Sequence, residues 1–323
     1  MTVLFTKEAT LPAKYPPFAD DGGPQKRGAI VICMVGLECH MDPFLTSAAG
    51  VRIPRILYGT AWKKGDTERL VTTALREGFR GIDTACQPRH YLEAGVGAGI
   101  AAALGSGMQR ADLYLQTKFT PVSGQDPVRI PYDPSAPLPQ QVAQSFAVSL
   151  RNLRTDGLDC LILHSPLPTL QQTLTVWRAM EELVDGGGVR QLGISNCYEL
   201  ERLETLHRAA RIKPAVLQNR FYAETGYDRD VRALCATERI IYQSFWTLSA
   251  NPQILEHPAM TALARRLERT PAQILFRYLV ECGAVPLTGT RSQVHMREDL
   301  AIFAFELGEE DRHTVGGLLQ DHS

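Results

Sequence analysis

The chain has 323 residues, 44% hydrophobic and 21% charged, with a formal net charge of −1. That is the composition of a soluble globular protein of one large or two ordinary domains, and its near-neutrality excludes the electrostatic footprint of a nucleic-acid or anionic-membrane binder. A neutral small molecule suits this balance as a substrate, and seven cysteines without a CxxC pair predict a reducing, cytoplasmic setting.

In chain order, residues 1–50 read unlike the rest. "ATLPAKYPPFADDGGPQKRG" is rich in Pro and Gly without periodicity, so 1–50 is expected to be a poorly ordered N-terminal extension. Its apolar run, Ala29–Leu37, is shorter than the roughly 18 residues that cross a bilayer. It also starts too far from Met1 for a signal peptide, so an extra strand or loose packing is expected. Cys33, Cys39 and His40 cluster, but their spacing matches no zinc pattern, and no metal is expected.

From Val51 a rhythm of strand, turn and helix begins. The strands are "IPRILYG", "GID", "LYLQTK", "LDCLILH", "GVRQLGIS", "AVLQN", "IIYQSF" and "AVPLTG". Between them lie the helical patterns "TERLVTTALREG", "EAGVGAGIAAAL", "QQVAQSFAVSLRNL", "QQTLTVWRAMEELVDGG", "YELERLETLHRAA", "DRDVRALCATE" and "TPAQILFRYLVECG". In the last, Thr270 suits the N-cap, Pro271 the first helical position and Gln273 the reciprocal cap. Apolar strands alternating with helices predict a parallel sheet covered by helices. Eight of them in about 270 residues suit a closed (β/α)8 TIM barrel over 51–323. A doubly wound sheet would need a GxGxxG turn after an early strand, and none is present.

In such a barrel the C-terminal ends of the strands carry the chemistry. Asp83, Lys118 and His164 end three consecutive strands, and Ser195–Asn196 and Gln218 end the next two. Any one of these could be a solvated strand end, but together they converge on one mouth. A carboxylate and an ammonium withdrawn from water need each other. A tyrosine beside such an ammonium is expected to lose its proton more easily and to serve as a general acid.

These residues resemble the aldo-keto reductase superfamily. "IPRILYGTAW" and "GFRGIDTA" look like its first two strands. "SLRNLRTDGLDCLILHSP", "AMEELVDGGGVRQLGISN", "PAVLQNRFY" and "AFELGEED" follow in the family's order. The resemblance runs from about Val51 to Asp311 and implies a nicotinamide-dependent carbonyl reductase without a metal. It implies a catalytic tetrad of Asp83, Tyr91, Lys118 and His164. The family usually places the tyrosine five residues after the aspartate, where this chain has Pro88. Allowing a short insertion in "CQPRHY" gives Tyr91, while counting back from the following "VG" gives His90. A phenol profits from a neighbouring cation more than an imidazole does, so Tyr91 is the expectation.

The resemblance further implies that Ser195, Asn196 and Gln218 hold the nicotinamide carboxamide. In "YQSFWTL" it implies that Ser244 and Phe245 meet the cofactor, with Phe245, or Trp246 in the neighbouring register, stacking on the nicotinamide ring. Near the end, the lysine that usually meets the NADPH 2′-phosphate aligns with Gly289 and a later arginine with His295. Thr290 and Arg291 are then the expected phosphate contacts, with NADPH as cofactor and NADH as the alternative. Trp62 is expected in the apolar pocket wall. With little chain after "GEED", Pro121–Pro139 is expected to close the pocket.

The reading is a reversible NADPH-dependent reductase of aldehydes or ketones, a monomer or weak oligomer suited to specialised metabolism. A sensing or scaffolding subunit that binds NADP(H) with little turnover is the alternative. A Schiff-base aldolase or isomerase using Lys118 fits the "SN…Q" set poorly.

Overall fold

The computed structural model describes residues 41–320, so the run Ala29–Leu37 and the group Cys33, Cys39 and His40 lie outside the described residues. The described chain opens with a hairpin, β1 (Phe44–Thr46) antiparallel to β2 (Arg52–Pro54). Eight parallel strands follow: β3 (Leu57–Gly59), β4 (Gly81–Asp83), β5 (Tyr114–Phe119), β6 (Cys160–Leu163), β7 (Leu192–Ser195), β8 (Val216–Arg220), β9 (Ile241–Phe245) and β10 (Val285–Thr288). They close in sequence order, with β10 bonded to both β3 and β9. With helices between the strands, this is the (β/α)8 barrel.

Two expectations change. "IPRILYG" is not one strand: Ile53 and Pro54 belong to the hairpin and only Leu57–Gly59 to the barrel. The boundary at residue 50 therefore falls inside a hairpin, whose first strand lies in 41–50. The hairpin plugs the N-terminal end. Val51 and Ile53 are buried against Leu57, Tyr114, Cys160, Ile162, Val216 and Val285 from the strands around it, and the Ser47 hydroxyl donates to Gln191 Oε1 (2.6 Å).

The helices follow their apolar periods. Leu138–Leu153 buries Val142, Phe146, Ser149 and Leu153 along one stripe. It meets the helix Glu93–Gly105 at Gly97, where any Cβ would overlap the Asn152 carbonyl. Pro271–Glu281 starts at the expected capping box, Thr270 Oγ1 accepting from Gln273 N (3.2 Å). Helices not read from the sequence are Pro252–Leu255, Pro258–Arg266 and Glu309–Leu318. No helix among the described residues is long and apolar enough to cross a membrane.

Candidate active site

The strand ends converge on a cavity of 1010 Å³ at the C-terminal mouth. Asp83 lines its base and the buried Lys118 lies behind it, with Lys118 Nζ 2.6 and 2.7 Å from the two Asp83 oxygens and 2.9 Å from the Thr84 carbonyl. Asp83 Oδ1 also accepts from Gln116 Nε2 (2.7 Å) and Gln218 Nε2 (2.9 Å). Both oxygens of this carboxylate face donors, three on Oδ1 and Lys118 on Oδ2, which is what a buried charge requires.

The stretch between Asp83 and the next helix places His90 and Tyr91 differently. Gln87 O accepts from both His90 N (3.2 Å) and Tyr91 N (3.0 Å), so the extra residues close into a turn instead of lengthening the loop. That turn sends the two candidates in different directions. Tyr91 lies over the mouth, with Lys118 Nζ 5.3 Å from its ring centroid and the His164 ring edge-on at 6.1 Å. His90 turns toward Trp62, with ring centroids 3.9 Å apart, while its carbonyl accepts from Trp62 N (2.7 Å). Both line the cavity, but only Tyr91 packs against the buried ion pair and His164.

The electrostatics correct one expectation. Burial, reinforced by the Asp83 charge, pushes the Tyr91 phenol above its ordinary value, where a lowering by Lys118 was expected. The phenol is therefore held protonated. Lys118 is itself lowered by burial and drawn back up by Asp83. His164 is pushed down to about 3 by burial and by the Lys118 charge, so its imidazole is neutral. Its Nδ1 lies 2.6 Å from Thr120 Oγ1.

On the other wall, the Ser195 hydroxyl donates to Gln218 O (2.6 Å), and Asn196, at φ 53°, donates from Nδ2 to His164 O (2.9 Å). Gln218 Nε2 serves both Asp83 Oδ1 and Gln243 Oε1, which leaves its side-chain Oε1 as the group with spare hydrogen-bonding capacity. Phe245 reaches the lining, Ser244 is buried behind it, and Trp246 stands half-exposed at φ 56° with the Arg220 guanidinium 4.3 Å over its ring. Trp62, also half-exposed, faces the cavity beside His90.

At the far end lie Gly289, Thr290, Arg291 and His295. Arg291 donates to Asp66 Oδ2 (3.0 Å) and to the Trp62 carbonyl (2.6 Å). A residue that sequence reasoning missed completes this end: Lys63. It is buried, donates to the Gly289 and Thr290 carbonyls, and sits 3.8 Å from where a Gly289 Cβ would stand. Burial, with Arg291 nearby, lowers it to about 8. Nothing local distinguishes it from its exposed neighbour Lys64.

Residues 56–241 match the model of the Aldo/keto reductase family. The chain belongs to this family. An aldo-keto reductase of Mycolicibacterium smegmatis is 30% identical over 283 residues, 86% of this chain and 94% of that one. A glyoxal reductase of Bacillus subtilis is 30% identical over 251 residues, 78% of this chain and 83% of its own. Among solved structures, an aldo/keto reductase from Brucella melitensis matches with a TM-score of 0.73 and 27% identity, over 86% of this chain and all of that one. An aldose reductase from Schistosoma japonicum matches at 0.73 and 26%, over 86% and 92%. As an aldo-keto reductase, the protein is an oxidoreductase acting on carbonyls with NAD(P)H.

The aldo-keto reductase cofactor suits the residues present. Gly289 leaves room for a phosphate beside Lys63, whose ammonium meets two backbone carbonyls and the Tyr58 ring but no carboxylate among the described residues. An anion is the partner such a half-satisfied cation takes.

Proposed function

We propose that this aldo-keto reductase reduces an aldehyde or ketone with NADPH, using Tyr91 as its general acid. The observation that carries the reading is the position of Tyr91, held protonated between the Lys118–Asp83 pair and neutral His164 at the floor of the cavity. When bound, the cofactor supplies a hydride to the carbonyl carbon. The chain's own groups do the rest. Nε2 of His164 orients the carbonyl oxygen and Tyr91 gives it a proton from its phenol oxygen. Lys118 balances the phenolate as it forms, and Asp83 holds Lys118 where that charge is needed.

Ser195, Asn196 and the side-chain Oε1 of Gln218 would hold the nicotinamide carboxamide, and Ser244 and Phe245 would support the ring. Lys63, Thr290 and Arg291 would hold the 2′-phosphate, with backbone amides at the start of helix Gln293–Leu300 adding to them. The two half-exposed tryptophans, Trp62 and Trp246, flank the cavity, which favours a bulky apolar carbonyl compound. Cys86, Cys160, Cys197 and Cys235 are buried free thiols, which supports a cytoplasmic setting.

The test follows loss of dihydronicotinamide absorbance with an activated aromatic aldehyde, for wild type and Tyr91→Phe. Removing the acid lowers turnover by roughly 10²–10⁴, with the Kd for NADPH, read from protein fluorescence, unchanged. Full activity in Tyr91→Phe would transfer the role to another donor, His90 being the adjacent one.

A further inference from the structure

The Pro-rich stretch 121–139, expected to close the pocket, contributes no residue to the cavity lining. It packs instead behind the strand that carries Lys118, where Tyr132 meets Phe119 and several of its contacts converge on Thr120. The Thr120 carbonyl accepts from Tyr132 Oη (2.7 Å) and Gln125 Nε2 (3.1 Å), and the same Gln125 amide reaches the Cys86 carbonyl (3.0 Å). Gly124 abuts the Thr120 methyl so closely that a Cβ there would lie 2.8 Å from Cγ2. Gln87 Nε2 pins Gly124 through its carbonyl (2.7 Å). Thr120 itself is 2% exposed and touches no part of the cavity surface.

With its methyl held by the loop, the Thr120 hydroxyl has one partner among the described residues, His164 Nδ1 at 2.6 Å. We propose that Thr120 is a positioning residue: its hydroxyl donates to Nδ1 of His164 and thereby keeps the ring proton on Nε2, the nitrogen offered to the substrate oxygen. The opposite arrangement, Nδ1–H donating to the hydroxyl, would leave the hydroxyl proton buried without an acceptor. It would also present a bare lone pair to the carbonyl oxygen, which repels it. Burial and Lys118 keep the ring neutral, so the tautomer, not the charge, is the property left to set. The loop's contribution is steric, since it removes the other rotamers of a β-branched side chain.

This rests on His164 facing the substrate oxygen, and the two ideas separate by experiment. Full-length protein carrying 15N-labelled histidine is compared as wild type, Thr120→Val, Thr120→Ser and Gly124→Ala, with the His164 signals assigned by their loss in His164→Asn. Long-range proton–nitrogen spectra should show the Nε2–H form in wild type and Thr120→Ser, and a mixture in Thr120→Val. The kcat should fall by about tenfold in Thr120→Val, the size of one lost hydrogen bond, with an unchanged Kd for NADPH. It should recover in Thr120→Ser, and Gly124→Ala should lie between. A wild-type tautomer in Thr120→Val, or Thr120→Ser as impaired as Thr120→Val, overturns the proposal. A wild type that reduces no carbonyl overturns the functional reading instead, and the spectra still judge Thr120.

Discussion

The two ends of the barrel are built from the same strands and to opposite specifications. At the N-terminal end the interior is largely apolar: Val51 and Ile53 of the hairpin seal it against Leu57, Ile162, Val216 and Val285. At the C-terminal end those strands finish in a carboxylate, an ammonium, an imidazole and amides, several of them fully buried. A chain of hydrogen bonds joins the ends, from Ser47 through Gln191 and Tyr114 to Gln116 and then Asp83. The floor contributes cohesion that depends on volume. The mouth holds charges that contribute little to folding and much to chemistry, and its stability depends on every charge having its partner.

Replacing Lys118 by Met should break that comparison most severely. It strands the Asp83 carboxylate without its cation, costing about 3–5 kcal/mol in urea unfolding and abolishing turnover. Adding Asp83→Asn should restore most of the stability, since no charge is then left unpaired, yet no activity. A double variant as unstable as the single would mean that the mouth is held by shape and not by charge pairing.

Ile53→Ala probes the other end. A methyl-lined void in the plug should cost roughly 2–4 kcal/mol by the same unfolding assay while kcat stays within about twofold. A large kcat loss here would show that the hydrogen-bonded chain transmits changes at the floor to Asp83.

Asp299, buried at the mouth and hydrogen-bonded by the Thr288 hydroxyl (2.7 Å), is raised to about 6, chiefly by burial. Because its folded value lies above its unfolded one, the stability it contributes is present below about pH 4 and lost as pH rises through 6. Asp299→Asn should therefore be more stable than wild type at pH 7, by roughly 1–3 kcal/mol, and equal to it at pH 3.5. Equal stability at both pH values would place the ionised carboxylate in a better-solvated site than the fold suggests.

The smallest effect is expected at Arg291, whose pairing with Asp66 is largely exposed. Arg291→Ala should weaken NADPH binding by about 3–10-fold and NADH binding hardly at all, the difference being one charge-assisted contact to phosphate. Its comparison with Lys63→Met, read as Kd for 2′,5′-ADP, ranks the exposed cation against the buried one. Equal loss for NADH and NADPH in Arg291→Ala would assign Arg291 to the loop's shape.

Much of this was legible before folding. Apolar runs alternating with helical periods set the order of the eight strands, the cap at Thr270–Gln273 marked a helix start, and the polar strand ends marked Asp83, Lys118, His164, Ser195, Asn196 and Gln218. Those signals are local: side-chain periodicity and capping act within a few residues. The family's motifs added the expected cofactor contacts in the same linear way.

What closure of the barrel alone decided is non-local. Which of His90 and Tyr91 packs beside Lys118 and His164 depended on a turn closed by Gln87 O, which no spacing rule anticipates. The upward shift of the phenol came from burial, a property of the assembled mouth. Lys63 fills the place next to Gly289 from more than two hundred positions earlier, and Thr120 meets His164 only because β5 and β6 are neighbours. The sequence by itself determined which residues stand at the ends of which strands. The tertiary structure decided which of them face one another, because hydrogen bonds and desolvation act over a few ångströms of space and not along the chain.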